Sequence, residues 1–146
     1  MTSTRPARYG GRVSAGYSGT PLPAKLGIVA GRRALVVGKP AAVDLGDIPP
    51  EATVHSRRSA AAYDVVLAFT ADLRALRMRF EALVPALEPA GALWVCWPKR
   101  ASGVATDLSE GAVRAHGLDC GLVDVKIAAV DSTWSALKFV RRLADR

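Results

Sequence analysis

The stretch Tyr63–Pro98, YDVVLAFTADLRALRMRFEALVPALEPAGALWVCWP, decides the fold. Its first eight residues, Tyr63 to Thr70, carry Val65, Val66 and Leu67 in a run too uniformly apolar for a strand with one wet face. Such strands belong in sheets covered on both sides. From Asp72 the period changes. Leu73, Leu76, Phe80, Leu83, Val84 and Leu87 share one helical face, while Arg74, Arg77, Arg79 and Glu81 point away from it. Pro85 kinks or ends that helix. Glu88–Gly91 (EPAG) then reads as a turn, and Ala92–Trp97 as a second buried strand.

On the N-terminal side, ALVVG (Ala34–Gly38) is a buried strand ending in glycine and TVHS (Thr53–Ser56) a weaker one, with a proline-containing loop between them. Before these, GYSGTPLPAKLG (Gly16–Gly27) packs turn formers around a helix of barely two turns. Thr20 is the expected N-cap, Pro21 the first helical position and Gly27 the stop. Residues 1–15 lack apolar periodicity and read as a solvated tail, leaving 16–146 as one domain. On the C-terminal side, Asp107 and Glu110 have capping-box spacing for a helix running towards His116 and Gly117. Leu122–Val130 and Trp134–Arg142 are then joined by Asp131–Thr133 as an antiparallel hairpin. Strands alternating with helices before a closing hairpin define an α/β class, a Rossmann-like three-layer sandwich with a mostly parallel sheet.

Composition bounds the function. At 146 residues, 50% of them hydrophobic, the chain buries a full core. It holds no apolar run of the roughly 18 residues that a membrane span needs. Its first apolar segment follows a polar, Arg- and Gly-containing leader rather than a signal sequence. Two cysteines, Cys96 and Cys120, suit a reducing cytoplasm better than a disulfide framework. A net charge of +7 suits an acidic partner, but its arginines are spread along the whole chain. With no helix-turn-helix, zinc or aromatic RNA-binding signature, a nucleic-acid role ranks behind a small anion or a protein partner.

Two resemblances follow from these segments. Strand, helix, an EPAGAL turn, strand, helix and hairpin over residues 33–142 resemble the class I methyltransferase arrangement. More narrowly, GYSGTPLPAKLGI, the VVG strand end, WPKRASGVATDL and GLVDVKIAAVDSTWSALKFVRR resemble the bacterial family catalogued as domain of unknown function 3052. The second implies a small cytoplasmic protein and supplies no functional residue. The first implies S-adenosylmethionine, and the residues depart from it. A glycine-rich loop is wanted after the first strand and an acid at the end of the second. Here Gly38 is followed by Lys39–Pro40, and TVHS by Arg57–Arg58, while Asp44 comes too early and Asp72 follows another strand.

In such sheets ligands sit at the carboxyl ends of the strands. That edge collects Gly38–Pro40, His55–Arg58, Thr70–Asp72 and Pro98–Thr106, and from it Gly38, Lys39, Lys99, Arg100, Ser102 and Gly103, with Trp97 at the strand end, suit a phosphate or carboxylate. The plainer reading is that Pro98 stops the strand, Lys99 and Arg100 are solvated, Ser102–Gly103 turn the chain, and Trp97 walls the core. Ser18, Gly19 and Thr20 are better as helix-capping residues than as an oxyanion site. His116 and Cys120 are four apart, but Gly117 is expected to break the helix that would align them, so no metal site is expected. No cofactor and no catalytic residue is assigned. The leading expectation is a binding or regulatory module for an anionic ligand. The alternatives are a methyltransferase-like enzyme with a degenerate cofactor loop and a basic partner for nucleic acid.

Overall fold

The computed structural model describes residues 19–146, so the tail expected over residues 1–15 and the reading of Ser18 lie outside the described residues. The six strands are β1 (Arg33–Val37), β2 (Thr53–His55), β3 (Tyr63–Phe69), β4 (Leu87–Pro98), β5 (Leu122–Ala129) and β6 (Trp134–Arg141). They form one sheet in the order β2-β1-β3-β4-β6-β5. β1 to β4 are parallel, and β6 runs antiparallel to both β4 and β5. This is the expected Rossmann-like sandwich with its closing hairpin. Asp131 makes that hairpin turn, its Oδ1 accepting from the backbone N–H groups of Thr133 and Trp134 at 2.8 Å each.

Alternation along β3 and β4 divides the core into two layers. Val66, Ala68, Leu93, Val95 and Trp97 pack under α2 (Leu73–Leu83) and α3 (Glu110–Asp119), through Leu76, Phe80, Leu83 and Val113. Val65, Leu67, Phe69, Trp94 and Cys96 face the other way, against α1 (Leu22–Leu26), Ile28, Val43 and Leu45. Among the described residues the second layer therefore has one short helix, and the crossover from β1 to β2 is an extended segment instead of a helix. Trp94 Nε1–H donates to the Leu26 carbonyl at 2.9 Å and fixes α1 over the sheet. As the sequence expects, α2 gives way to a 3₁₀ turn at Val84–Ala86, where Pro85 has no N–H to donate.

Four local expectations are corrected. First, α1 is flanked by Pro21 in an extended conformation (ψ 145°), so the cap position falls on Pro21 and not on Thr20, while Gly27 ends the helix at φ 91° as expected. Second, EPAG is part of β4. While β3 advances from Tyr63 to Val65, β4 advances from Leu87 to Ala92, so Glu88–Ala90 bulge outward without leaving the strand. Gly91 permits this because a Cβ there would lie 2.8 Å from the Tyr63 carbonyl oxygen. Third, α3 is capped by Ser109, whose hydroxyl accepts from Ala112 N–H at 3.2 Å. Asp107 serves the other helix, its Oδ1 accepting from Leu73 N–H at 2.9 Å. Leu108 is buried between them, which turns Asp107 away from α3.

Fourth, α3 runs straight through Gly117 to Asp119. This glycine marks a close approach: a Cβ at Gly117 would overlap the Phe139 ring on β6. Glycine costs a helix roughly 0.5–1 kcal/mol relative to alanine, and packing against the sheet outweighs that. β5, at the sheet edge, carries an irregularity between Asp124 and Lys126 that sets Val125 out of register. Asp124 is held by Arg114 of α3 at 2.8 Å, and Arg114 also reaches Glu110 at 2.8 Å.

Gly117→Ala is expected to lower unfolding stability by about 1–3 kcal/mol in urea titration, the usual cost of overpacking. Gly111→Ala on the same helix, where a Cβ meets nothing nearer than the Ser109 hydroxyl at 4.0 Å, should be neutral or stabilising. Equal losses at the two sites would contradict the packing account.

Candidate functional site

The order of strands reverses between β1 and β3, the switch point at which open α/β sheets hold ligands. Gly38 ends β1 there at φ 73°, which favours glycine. A side chain would also press on Arg79 Nη2 of α2, 3.0 Å from the Cβ position, and on the Phe69 carbonyl, 3.1 Å away. Beside it a cavity of about 580 Å³ opens between the ends of β1 and β2 and the segment 39–48. Val36, Val54 and Ile48 give it an apolar floor; Gly38, Lys39, Asp44, His55 and Ser56 give it a polar rim. That volume and mixture are typical of small-molecule sites.

The rim is held rigidly by short bonds. Lys39 Nζ donates to the Val43 carbonyl at 2.6 Å and to that of Pro40 at 3.3 Å, clasping its own loop. Asp44 Oδ1 accepts from Gly46 N–H at 2.8 Å, and its other oxygen has no hydrogen bond among the described residues. His55 Nδ1 and the Tyr63 hydroxyl lie 2.7 Å apart, so Nε2 is the ring nitrogen left for other partners. Tyr63, fully buried, also accepts from Ser59 N–H at 3.0 Å, and the Arg33 guanidinium lies 5.2 Å from its ring centre.

The residues expected to form an anion site divide into two groups. Gly38 and Lys39 line the cavity. Trp97 is buried in the core layer under α2 and α3. Lys99 leans towards β6: its N–H donates to the Thr133 carbonyl at 2.7 Å and its Nζ to that of Asp131 at 2.9 Å. Arg100 opens a 3₁₀ turn and is exposed. Ser102 Oγ donates to the Lys99 carbonyl at 2.7 Å and accepts from Val104 N–H at 3.2 Å, and Gly103 ends the turn at φ 81°. Beyond this turn the loop is sewn to the end of β3, with Thr106 Oγ1 donating to the Ala71 carbonyl at 2.6 Å. Among the described residues the loops over β3 and β4 are bonded to one another, and the cavity lies over β1 and β2.

Sequence reasoning sets Asp44 aside as too early and places His55 at this edge without its bond to Tyr63; both Asp44 and His55 line the cavity. The signal for Asp44 lies in AAVDLGDI, where buried Val43 and Leu45 alternate with it. That pattern anchors the crossover beside the strand ends. Among the described residues no group of three or more His, Cys, Asp or Glu side chains is placed to hold a metal ion. None of the described helices is long and apolar enough to cross a membrane.

No family model matches the chain, and no curated protein matches it. Solved structures do. The chain is similar to magnesium protoporphyrin IX methyltransferase from Synechocystis PCC 6803, solved with bound SAM, at TM-score 0.55 and 14% identity, covering 83% of this chain and 74% of that one. It is similar to the N-methyltransferase NodS from Bradyrhizobium japonicum WM9, solved with S-adenosyl-L-homocysteine, at TM-score 0.53 and 16% identity, covering 81% and 82%. A SAM-dependent methyltransferase from Aquifex aeolicus matches at TM-score 0.50 and 13% identity, covering 80% and 85%. At such identities the likeness establishes the fold, that of the SAM-dependent methyltransferases, and nothing finer.

Tyr63→Phe should cost about 1–3 kcal/mol of stability in urea titration, because it strips a buried partner from Ser59 N–H and His55. Native-like tryptophan fluorescence before the transition would show that the sheet persists. A loss within error of zero would mean that the hydroxyl is not what holds the rim.

Proposed function

We propose that this chain is a methyltransferase-type domain that takes S-adenosylmethionine, or the adenosyl product of its use, in the cavity at the ends of β1 and β2. The observation that carries the reading is the cavity itself. It lies at the switch point, beside a positive-φ glycine, with an acid on its rim. The Asp44 oxygen left unbonded accepts from ligand hydroxyls, taking the role that an acid at the end of β2 would have. Val36, Ile48 and Val54 supply an apolar surface for a planar base, and Gly38 lines the cavity at the end of β1. When bound, the cofactor supplies a methyl group on a sulfonium. Transfer from such a group asks the protein mainly to orient an acceptor and exclude water, so the chain needs binding groups more than a nucleophile. The resemblance to domain of unknown function 3052 is compatible with this reading and adds no activity to it.

A second reading, an anion held at Lys99, Arg100, Ser102 and Gly103 with Gly38 and Lys39, is favoured by Arg100, which is exposed and has no hydrogen bond or ion pair among the described residues. It ranks lower because Lys99 and Ser102 already bond to backbone. A protein or nucleic-acid partner would use the same exposed arginines.

Isothermal calorimetry with S-adenosylmethionine and S-adenosylhomocysteine should show one site per chain. Asp44→Asn is expected to weaken binding about tenfold, the value of one hydrogen bond to a charged group. Absence of binding by either compound would sink the reading; stabilisation by phosphate at physiological salt, lost in Arg100→Ala, would favour the second one.

A further inference from the structure

The far side of the molecule carries a different chemistry. His116 and Cys120 lie at positions i and i+4 at the C-terminal end of α3, with His116 Nε2 and Cys120 Sγ 3.5 Å apart. The close fit of Gly117 on Phe139 keeps α3 regular there and so brings the two side chains onto one face. Zn–S and Zn–N bonds of about 2.3 and 2.0–2.1 Å, meeting at the tetrahedral angle, separate the two ligand atoms by about 3.5–3.6 Å. The pair already stands at that separation.

We propose that His116 and Cys120 form a two-ligand clip for a soft cation of tetrahedral preference, one ion per chain, with Zn²⁺ as the natural probe. The imidazole is held edge-on against Phe80, with ring centres 4.9 Å apart, which fixes its plane. Cys120 is exposed and His116 half-buried, so an ion reaches the pair from solvent and water completes its coordination. Arg77 of α2 places positive charge near His116. Asp119 adds negative charge beside both ligands and counters Arg77. On binding, the S–H bond breaks, an S–Zn bond forms and the proton passes to solvent; no electron is transferred.

The chain has two histidines and two cysteines in all, and the other two are engaged elsewhere: His55 is bonded to Tyr63 and Cys96 is buried. The assignment is therefore tested at two positions. Zn²⁺ is titrated into the reduced full chain against a chromogenic indicator, with calorimetry in two buffers of different ionisation enthalpy and with Co²⁺ as a spectroscopic substitute. One ion per chain, release of one proton and a thiolate-to-cobalt charge-transfer band are expected. Cys120→Ser should remove the band, and His116→Ala should weaken Zn²⁺ binding by about tenfold or more. His116→Gln, which keeps bulk against Phe80, should behave like His116→Ala. Zn²⁺ binding unchanged in the His116 variants, or one ion per two chains, would overturn the clip.

Discussion

The indole N–H of Trp94 lies in the sheet face over which the described residues place only one short helix, and a buried donor of this kind must find an acceptor. It finds the Leu26 carbonyl, at the last residue of a helix too short to be stable alone. That bond places α1 across the sheet, and among the described residues Ile28, Val43 and Leu45 complete the layer from extended chain. Covering an apolar parallel sheet on both faces is obligatory; covering one face with extended chain is this protein's solution.

The solution has a direct consequence for the site. A helix packed over β1 and β2 would fill the space where the segment 39–48 leaves a cavity of about 580 Å³. On the other half of the carboxyl edge, side chain-to-backbone bonds from Lys99, Thr106 and Asp107 sew the loops together. Two regimes thus coexist on one edge, and the opening falls beside the strand reversal, where this architecture places ligands.

Much of the sheet was legible because its central strands are apolar on both faces, a pattern few other structures produce. The hairpin was legible because Asp131 sits at a turn whose geometry a short acidic side chain supports. Three of the four errors have a common cause. Gly117, Gly91 and Asp107 were each read by local rules, as a breaker, a turn residue and a cap, and each answers to a partner far along the chain: Phe139, Tyr63 and Leu73. The candidate site was half legible. Gly38 and Lys39 follow from strand-end logic, whereas Asp44 joins the rim only because the crossover folds back over β1.

The misfit of Val125 on β5 bears on how this protein behaves in a crowded solution. β5 is an outermost strand with Val125 and Ile127 about half exposed, and a flat edge of that kind invites another chain to add itself by backbone hydrogen bonding. One extra residue between Asp124 and Lys126 twists the row of donors and acceptors out of line, and the lysine beside it adds charge at the same point. Bulge and charge together keep this exposed, partly apolar border from becoming a seam between molecules.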